Sequence, residues 1–110
     1  AANLMLPYTG GKPQTRHAVL TYNIKGGGGL EIWQYTSKNP QPPAFEVKLG
    51  DLGIFITKIK MPDAEKAYNF LKNKNANLIT KIVTDPEGKK HFYLKDPYNN
   101  LFELVIFNDW

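Results

Sequence analysis

The chain has 110 residues, of which 42% are hydrophobic and 22% charged, with a formal net charge of +4. This length allows one domain with a modest core. The basic residues are spread over several segments rather than gathered in one run, which argues against nucleic-acid binding. The lack of cysteine excludes disulfides, zinc–thiolate sites and a cysteine nucleophile. No apolar stretch approaches the ~20 residues of a membrane span and no signal-peptide pattern opens the chain, so we expect a cytoplasmic protein without a membrane partner.

The first part of the chain, 1–36, is predicted to be three strands of a first module. The apolar runs that predict them are 4–8, 15–24 and 30–35. In the third strand, Glu31, Trp33 and Tyr35 share one side, because alternate residues of a strand face the same way. The glycines at 26–29 do not form a phosphate loop, since no Lys-Ser/Thr pair follows and a strand comes next.

A proline-rich segment, 37–49, is predicted to be a linker, because proline is excluded from sheet interiors. The remaining part, 50–110, is predicted to be a complete module of strand, helix, strand, strand and strand. The predicted strands are 54–59, 78–83, 90–95 and 101–107. Asp63 is expected to cap the helix, and its apolar stripe is Ala64, Ala67, Tyr68 and Leu71.

A pattern occurs once in each half of the chain. A basic residue and a histidine open an alternating apolar run, and a glutamate follows in the next run, 14 positions on from His17 to Glu31 and 12 from His91 to Glu103. Such a duplication predicts paired hairpins. Overlaying the copies aligns the run 4–8 with the strand that begins at Leu78, and leaves the first module without its opening strand and helix.

The segment 92–104, Phe-Tyr-Leu-Lys-Asp-Pro-Tyr-Asn-Asn-Leu-Phe-Glu-Leu, resembles the vicinal oxygen chelate superfamily, which includes glyoxalase I, extradiol dioxygenases and the bleomycin-resistance proteins. In that superfamily an aromatic strand, Asp-Pro and a Gly-Asn turn precede a strand with an acidic ligand. Asn99 stands where glycine is usual, and asparagine also visits the left-handed region. The resemblance implies an α+β fold in which βαβββ modules form a glyoxalase-like half-barrel, here with an incomplete first module.

The resemblance also implies a site inside the half-barrel, where superfamily members hold a divalent metal with side chains from the first and last strand of each module. Glu31 and Glu103 fall at the last-strand positions and are the metal candidates. Ile54 falls at the first-strand position of the second module and cannot bind a metal. Two carboxylates alone make a poor transition-metal site, so a metal is expected only if the missing N-terminal part or a partner chain supplies ligands. No catalytic residue is assigned.

Aromatic and histidine side chains are the candidates for lining a ligand pocket: Trp33, Tyr35, His91, Tyr93 and Phe107. The alternative is that the aromatics belong to a plain core and that His91, like His17, is a solvated or hydrogen-bonded strand histidine. Glu103 lies in a strand that is apolar on both faces, so a ligand or an ion pair with a lysine or histidine must satisfy its charge. Both alternatives stay open for Glu103, and also for Glu31.

Three classes of function stay open, because a fold does not decide among them. The first is a metal-free protein that binds a small molecule, as bleomycin-resistance proteins do, and Ile54 together with the aromatic strands favours it. The second is a metal-dependent lyase, transferase or dioxygenase in its full-length form, and the third is a structural or regulatory module. The sequence thus leaves open whether the chain is an enzyme. The exposed strands of an incomplete module predict a homodimer.

Overall fold

The computed structural model describes residues 3–24, 28–46, 53 and 56–106. The chain divides into two compact units, Ala1–Glu46 and Val47–Trp110, and the boundary lies inside the proline-rich segment. In the described residues the first unit has a 3-10 helix and a two-stranded sheet, and the second has one α-helix and a five-stranded sheet. The predicted mixed α+β content is confirmed. No helix of the described part is long and apolar enough to span a membrane.

The first unit is built on an antiparallel hairpin. Its strands are β1, Arg16–Tyr22, and β2, Gly29–Tyr35. The register sets Ala18 opposite Trp33 and Leu20 opposite Glu31, so these four side chains share one face of the hairpin. Every residue of β1 is exposed, which means that the hairpin contributes little to a core.

The segment Asn3–Thr9 forms a 3-10 helix, so the prediction of a strand over 4–8, and with it the prediction of three strands in the first module, is wrong. Pro7 lies inside this helix and lacks the N–H group that a strand would donate to its neighbour. Gly10 and Gly11 follow with φ values of 63° and 74°. Glycine enters this left-handed region without a steric penalty, and the pair turns the chain toward β1.

The second unit follows the predicted βαβββ order, with the second strand of the module divided into two short strands. Its elements are β3 (Ile56–Met61), α1 (Ala64–Asn73), β4 (Asn77–Leu78), β5 (Val83–Thr84), β6 (Lys90–Lys95) and β7 (Leu101–Ile106). The strands lie in the order β3-β7-β6-β4, and β5 also pairs with β6. β3 runs parallel to β7, whereas the other pairs are antiparallel. The first and last strands of the module are therefore neighbours.

The predicted strand 78–83 is two short strands, β4 and β5, rather than one. Between them, the backbone N–H of Ile79 donates to the carbonyl oxygen of Tyr93 at 2.9 Å. The N–H of Tyr93 in turn donates to the side-chain Oγ1 of Thr80 at 3.1 Å. A side chain thus takes the place of a backbone acceptor, and the regular ladder is interrupted there.

The helix α1 begins and ends at the predicted signals. The carboxylate of Asp63 accepts the backbone N–H of Lys66 at 2.9 Å, which satisfies one of the free donors of the first turn. Just after the helix, Asn75 adopts a φ of 56°, in the left-handed region that asparagine tolerates. The helix is therefore capped by a side chain at its start and by a left-handed turn at its end.

The core of the second unit lies between α1 and one face of the sheet. Its buried members are Met61, Ala64, Phe92 and Leu104. The fully buried ring of Phe92 meets the ring of Tyr68 edge-on, with 5.2 Å between centroids. Because side chains alternate along a strand, the other face of β6 and β7 carries His91, Tyr93 and Glu103.

We expect Phe92→Ala to lower the free energy of unfolding by about 3–5 kcal/mol, because it leaves a cavity in the centre of this core. Phe70→Ala is the matched control: Phe70 lies on α1 with 61% of its surface exposed, and its loss should cost about 0.5 kcal/mol or less. Urea unfolding followed by circular dichroism measures both. Equal losses for the two variants would contradict the position of the core.

Candidate functional site

Three neighbouring strands bring polar side chains together on the sheet face that does not pack against α1. The parallel register of β3 and β7 sets Lys58 opposite Glu103. The antiparallel register of β6 and β7 sets Tyr93 opposite Glu103, and His91 lies two residues before Tyr93 on the same face. We call these four residues the Glu103 cluster.

The carboxylate of Glu103 is held by three protein groups. Its Oε1 lies 2.7 Å from Nδ1 of His91 and accepts the hydroxyl of Tyr93 at 3.1 Å. Its Oε2 lies 3.2 Å from the ammonium of Lys58. Glu103 is only 6% exposed, so these contacts replace the water that its charge would otherwise need. The expectation that Glu103 is partnered is confirmed. His91 is hydrogen-bonded to it, and its role in lining a ligand pocket stays a prediction.

The geometry fixes the hydrogen-bonding roles of His91. An ionised carboxylate only accepts, so Nδ1 of His91 carries the hydrogen that it donates to Glu103. In the neutral imidazole, Nε2 is then a hydrogen-bond acceptor. The rings of His91 and Tyr93 meet edge-on with 5.5 Å between centroids, which helps to hold the imidazole in this orientation.

The contacts shift the pKa values of two groups in opposite directions. Burial raises the pKa of Glu103, but the hydrogen bonds from His91, Lys58 and Tyr93 together outweigh it and hold the pKa below the ordinary 4.5. Burial, followed by the hydrogen bond to Glu103, raises the pKa of Tyr93 above the ordinary 10.0. At neutral pH the carboxylate is therefore ionised and the phenol keeps its proton.

Lys58 belongs to the cluster, but the sequence reasoning did not select it as a site residue. The available signal is a lysine inside a predicted strand, between Thr57 and Ile59. That signal is weak, because such a lysine usually lies on a solvated face. Only the pairing of β3 with β7 places Lys58 beside Glu103. The sequence of either strand alone does not predict this pairing.

The other predicted site residues lie elsewhere or outside the described part. Glu31 is exposed on β2 in the first unit, where it pairs with Leu20 across the hairpin. Trp33 and Tyr35 line a cavity of that unit. Phe107, predicted to line the pocket, and Ile54, predicted to stand at a ligand position, lie outside the described residues.

The described residues do not fit a metal centre. Among them, no three histidine or carboxylate side chains are close enough to hold a metal ion. His91 and Glu103 contact each other, but two such donors fall short of the three or four that zinc takes from a protein. The ammonium of Lys58 also occupies the second carboxylate oxygen. A metal at this position would need ligands from outside the described residues.

Comparison with solved structures identifies the fold. A glyoxalase family protein from Bacillus cereus superimposes with a TM-score of 0.75 at 14% identity, over 96% of this chain and 70% of that one. A glyoxalase family protein from Enterococcus faecalis gives a TM-score of 0.55 at 19% identity, over 94% and 83% of the two chains. A lactoylglutathione lyase from Agrobacterium tumefaciens gives 0.50 at 12% identity, over 84% and 78%.

This chain therefore has the glyoxalase-like fold, as the sequence resemblance implied. No family model matches the sequence, and no curated protein matches it. At such low identities the likeness shows the fold alone, and the chemistry of the site has to be argued from its own residues.

We expect Glu103→Gln to lower the free energy of unfolding at neutral pH by about 1.5–3 kcal/mol, the range for hydrogen bonds to a charged group. The folded pKa of Glu103 is depressed, so its ionisation stabilises the fold above about pH 4.5, and this contribution is lost as the pH falls through the folded pKa. The stability of Glu103→Gln should therefore depend less on pH in the acid range than that of the wild type. Urea unfolding at several pH values measures both effects.

The control for that measurement is Glu87→Gln. Glu87 is 73% exposed and pairs with Lys89 on the surface, so its loss should cost less than about 1 kcal/mol. If the two variants lost the same stability and kept the same pH dependence, the description of Glu103 as a buried, partnered carboxylate would be wrong.

Proposed function

We propose that this protein binds a small molecule on the sheet face of the Glu103 cluster, without using a metal ion. The observation that carries the proposal is that both oxygens of the Glu103 carboxylate already have protein donors, His91 and Tyr93 on one and Lys58 on the other. A carboxylate whose two oxygens both accept hydrogen bonds holds the donor side chains in position. It orients the groups that remain free to meet a ligand.

The cluster offers a ligand both donors and an acceptor. The ammonium of Lys58 has three hydrogens, its side chain is half exposed, and one hydrogen suffices for Glu103. When the imidazole of His91 is neutral, its Nε2 offers an acceptor. Val105 lies on the same face, since it pairs with His91 across the two strands, but it is buried. The accessible groups suit a small molecule with an anionic or carbonyl oxygen and a polar hydrogen.

We expect no divalent metal to bind this chain more tightly than about 10 µM, equivalent to about 7 kcal/mol. Calorimetric titration with zinc, nickel and manganese checks this. A metal ion would have to displace the ammonium of Lys58 and find further ligands. A tighter site that Glu103→Gln abolishes and Glu31→Gln leaves intact would contradict the metal-free proposal.

Ligand binding is tested by an NMR screen of small carboxylates and carbonyl compounds against the labelled chain. Compounds that bind should shift amide resonances of β6 and β7 equally with and without EDTA. Lys58→Met should lower the affinity of these compounds about tenfold. Lys66→Gln, which removes a highly exposed lysine on α1, should leave their affinity unchanged. Compounds that bind only after zinc is added, or that shift only α1, would overturn the proposal.

We also propose that the chain forms a homodimer through the hairpin of β1 and β2. The face of the hairpin opposite Glu31 carries Val19 and Ile32, which are paired across the strands and are 57% and 56% exposed. A two-stranded ribbon is marginally stable by itself, and a second copy offers the same apolar face by symmetry. A cytoplasmic location without nucleic-acid or membrane partners stays a prediction from the sequence.

Sedimentation equilibrium at micromolar concentration should therefore give twice the 12.5 kDa chain mass. A dimer of this kind buries about 1,600 Å², and Ile32→Lys should dissociate it by placing a charge in the apolar contact. Lys81→Gln in the second unit is the control. A wild-type monomer without aggregation, or an Ile32→Lys variant that remains dimeric, would contradict this interface.

A further inference from the structure

A cavity of about 160 Å³ lies in the first unit, between the 3-10 helix and the hairpin. Its lining combines the aromatic rings of Trp33 and Tyr35, the aliphatic side chains of Met5 and Leu6, and the cationic side chains of Lys12 and Arg16. It shares no residue with the Glu103 cluster. The cavity is therefore a separate candidate site.

The charge of this cavity has one sign. Two cations line it, and no aspartate or glutamate of the described residues does. The guanidinium of Arg16 stacks on the indole of Trp33 at 3.7 Å from the ring centroid. Stacking uses the face of the guanidinium and leaves the N–H groups at its edge, which match the two oxygens of a carboxylate. Within the described part of the chain, no carboxylate forms an ion pair with Arg16.

The size of the cavity suits a ligand of about one ring. An apolar protein cavity of about 150 Å³ takes up benzene, and this cavity is similar in volume. Aromatic walls favour a flat ring, because offset or edge-on contacts between rings are attractive. The two cations in the lining favour a negative group attached to that ring.

From this combination we infer that the first-unit cavity binds a small planar organic anion of the aromatic carboxylate class. The ring packs against Trp33 and Tyr35, and the carboxylate pairs with the guanidinium of Arg16, with the ammonium of Lys12 as a second cation. The 3-10 helix supplies the aliphatic wall through Met5 and Leu6. This ligand site goes beyond the function proposed for the Glu103 cluster and does not depend on it.

The inference is tested with benzoate, and with benzamide as the neutral analogue of the same shape. The chain has two tryptophans, so Trp110→Phe leaves Trp33 as the only one, and its fluorescence reports on the cavity. In this background, benzoate should quench the emission saturably and bind at least tenfold more tightly than benzamide. Arg16→Gln should weaken benzoate at least tenfold. Lys81→Gln, which removes the same charge from the second unit, should leave benzoate binding unchanged.

Two further variants distinguish loss of the binding site from loss of the folded structure. Arg16→Lys keeps the charge but not the paired donors, so it should weaken benzoate less than Arg16→Gln does, and Lys12→Gln should weaken it severalfold without touching the stack on Trp33. Equal affinity for benzoate and benzamide, or equal effects of Arg16→Gln and Lys81→Gln, would each overturn the inference.

Discussion

The buried carboxylate of Glu103 is the constraint on which the second unit depends. It stands on β7 beside Leu104 and Val105, which are also buried, and an unpaired charge in such surroundings costs several kcal/mol. No single neighbour removes that cost. The ammonium comes from β3 and the imidazole and phenol come from β6, so the charge is satisfied only when all three strands are paired.

This dependence links the polar cluster to the register of the sheet. Lys58 and Tyr93 each lie directly opposite Glu103, one through a parallel and one through an antiparallel pair. A slip of one residue in either strand would turn its donor toward α1, where Phe92 and Leu104 form the core. Burial of the core and pairing of the carboxylate therefore select the same register. The cluster that is proposed to meet a ligand is thus held by the most constrained part of the sheet.

The parts of the fold that local signals control could be predicted from the sequence. β6 coincides with the predicted segment 90–95, and Asp63 caps α1, because alternation and capping depend on adjacent residues. The 3-10 helix was not predicted, because the apolar run 4–8 favours a strand, although Pro7 within it disfavours one. Lys58 was missed because its role arises from the pairing of β3 with β7, strands that are far apart in sequence. Glu103 was identified because a charge in an apolar strand needs a partner, although the sequence did not say which one.

The pKa of Glu103, followed by the carboxyl carbon resonance in an NMR titration of the full chain, tests the central claim most directly. If the carboxylate is held by protein donors alone, its pKa lies below 4.5 without any metal, and adding zinc leaves the titration curve unchanged. A pKa at or above 4.5 that falls only when zinc is added would show that the protein groups do not satisfy the charge. It would mean that a metal ion is the missing partner.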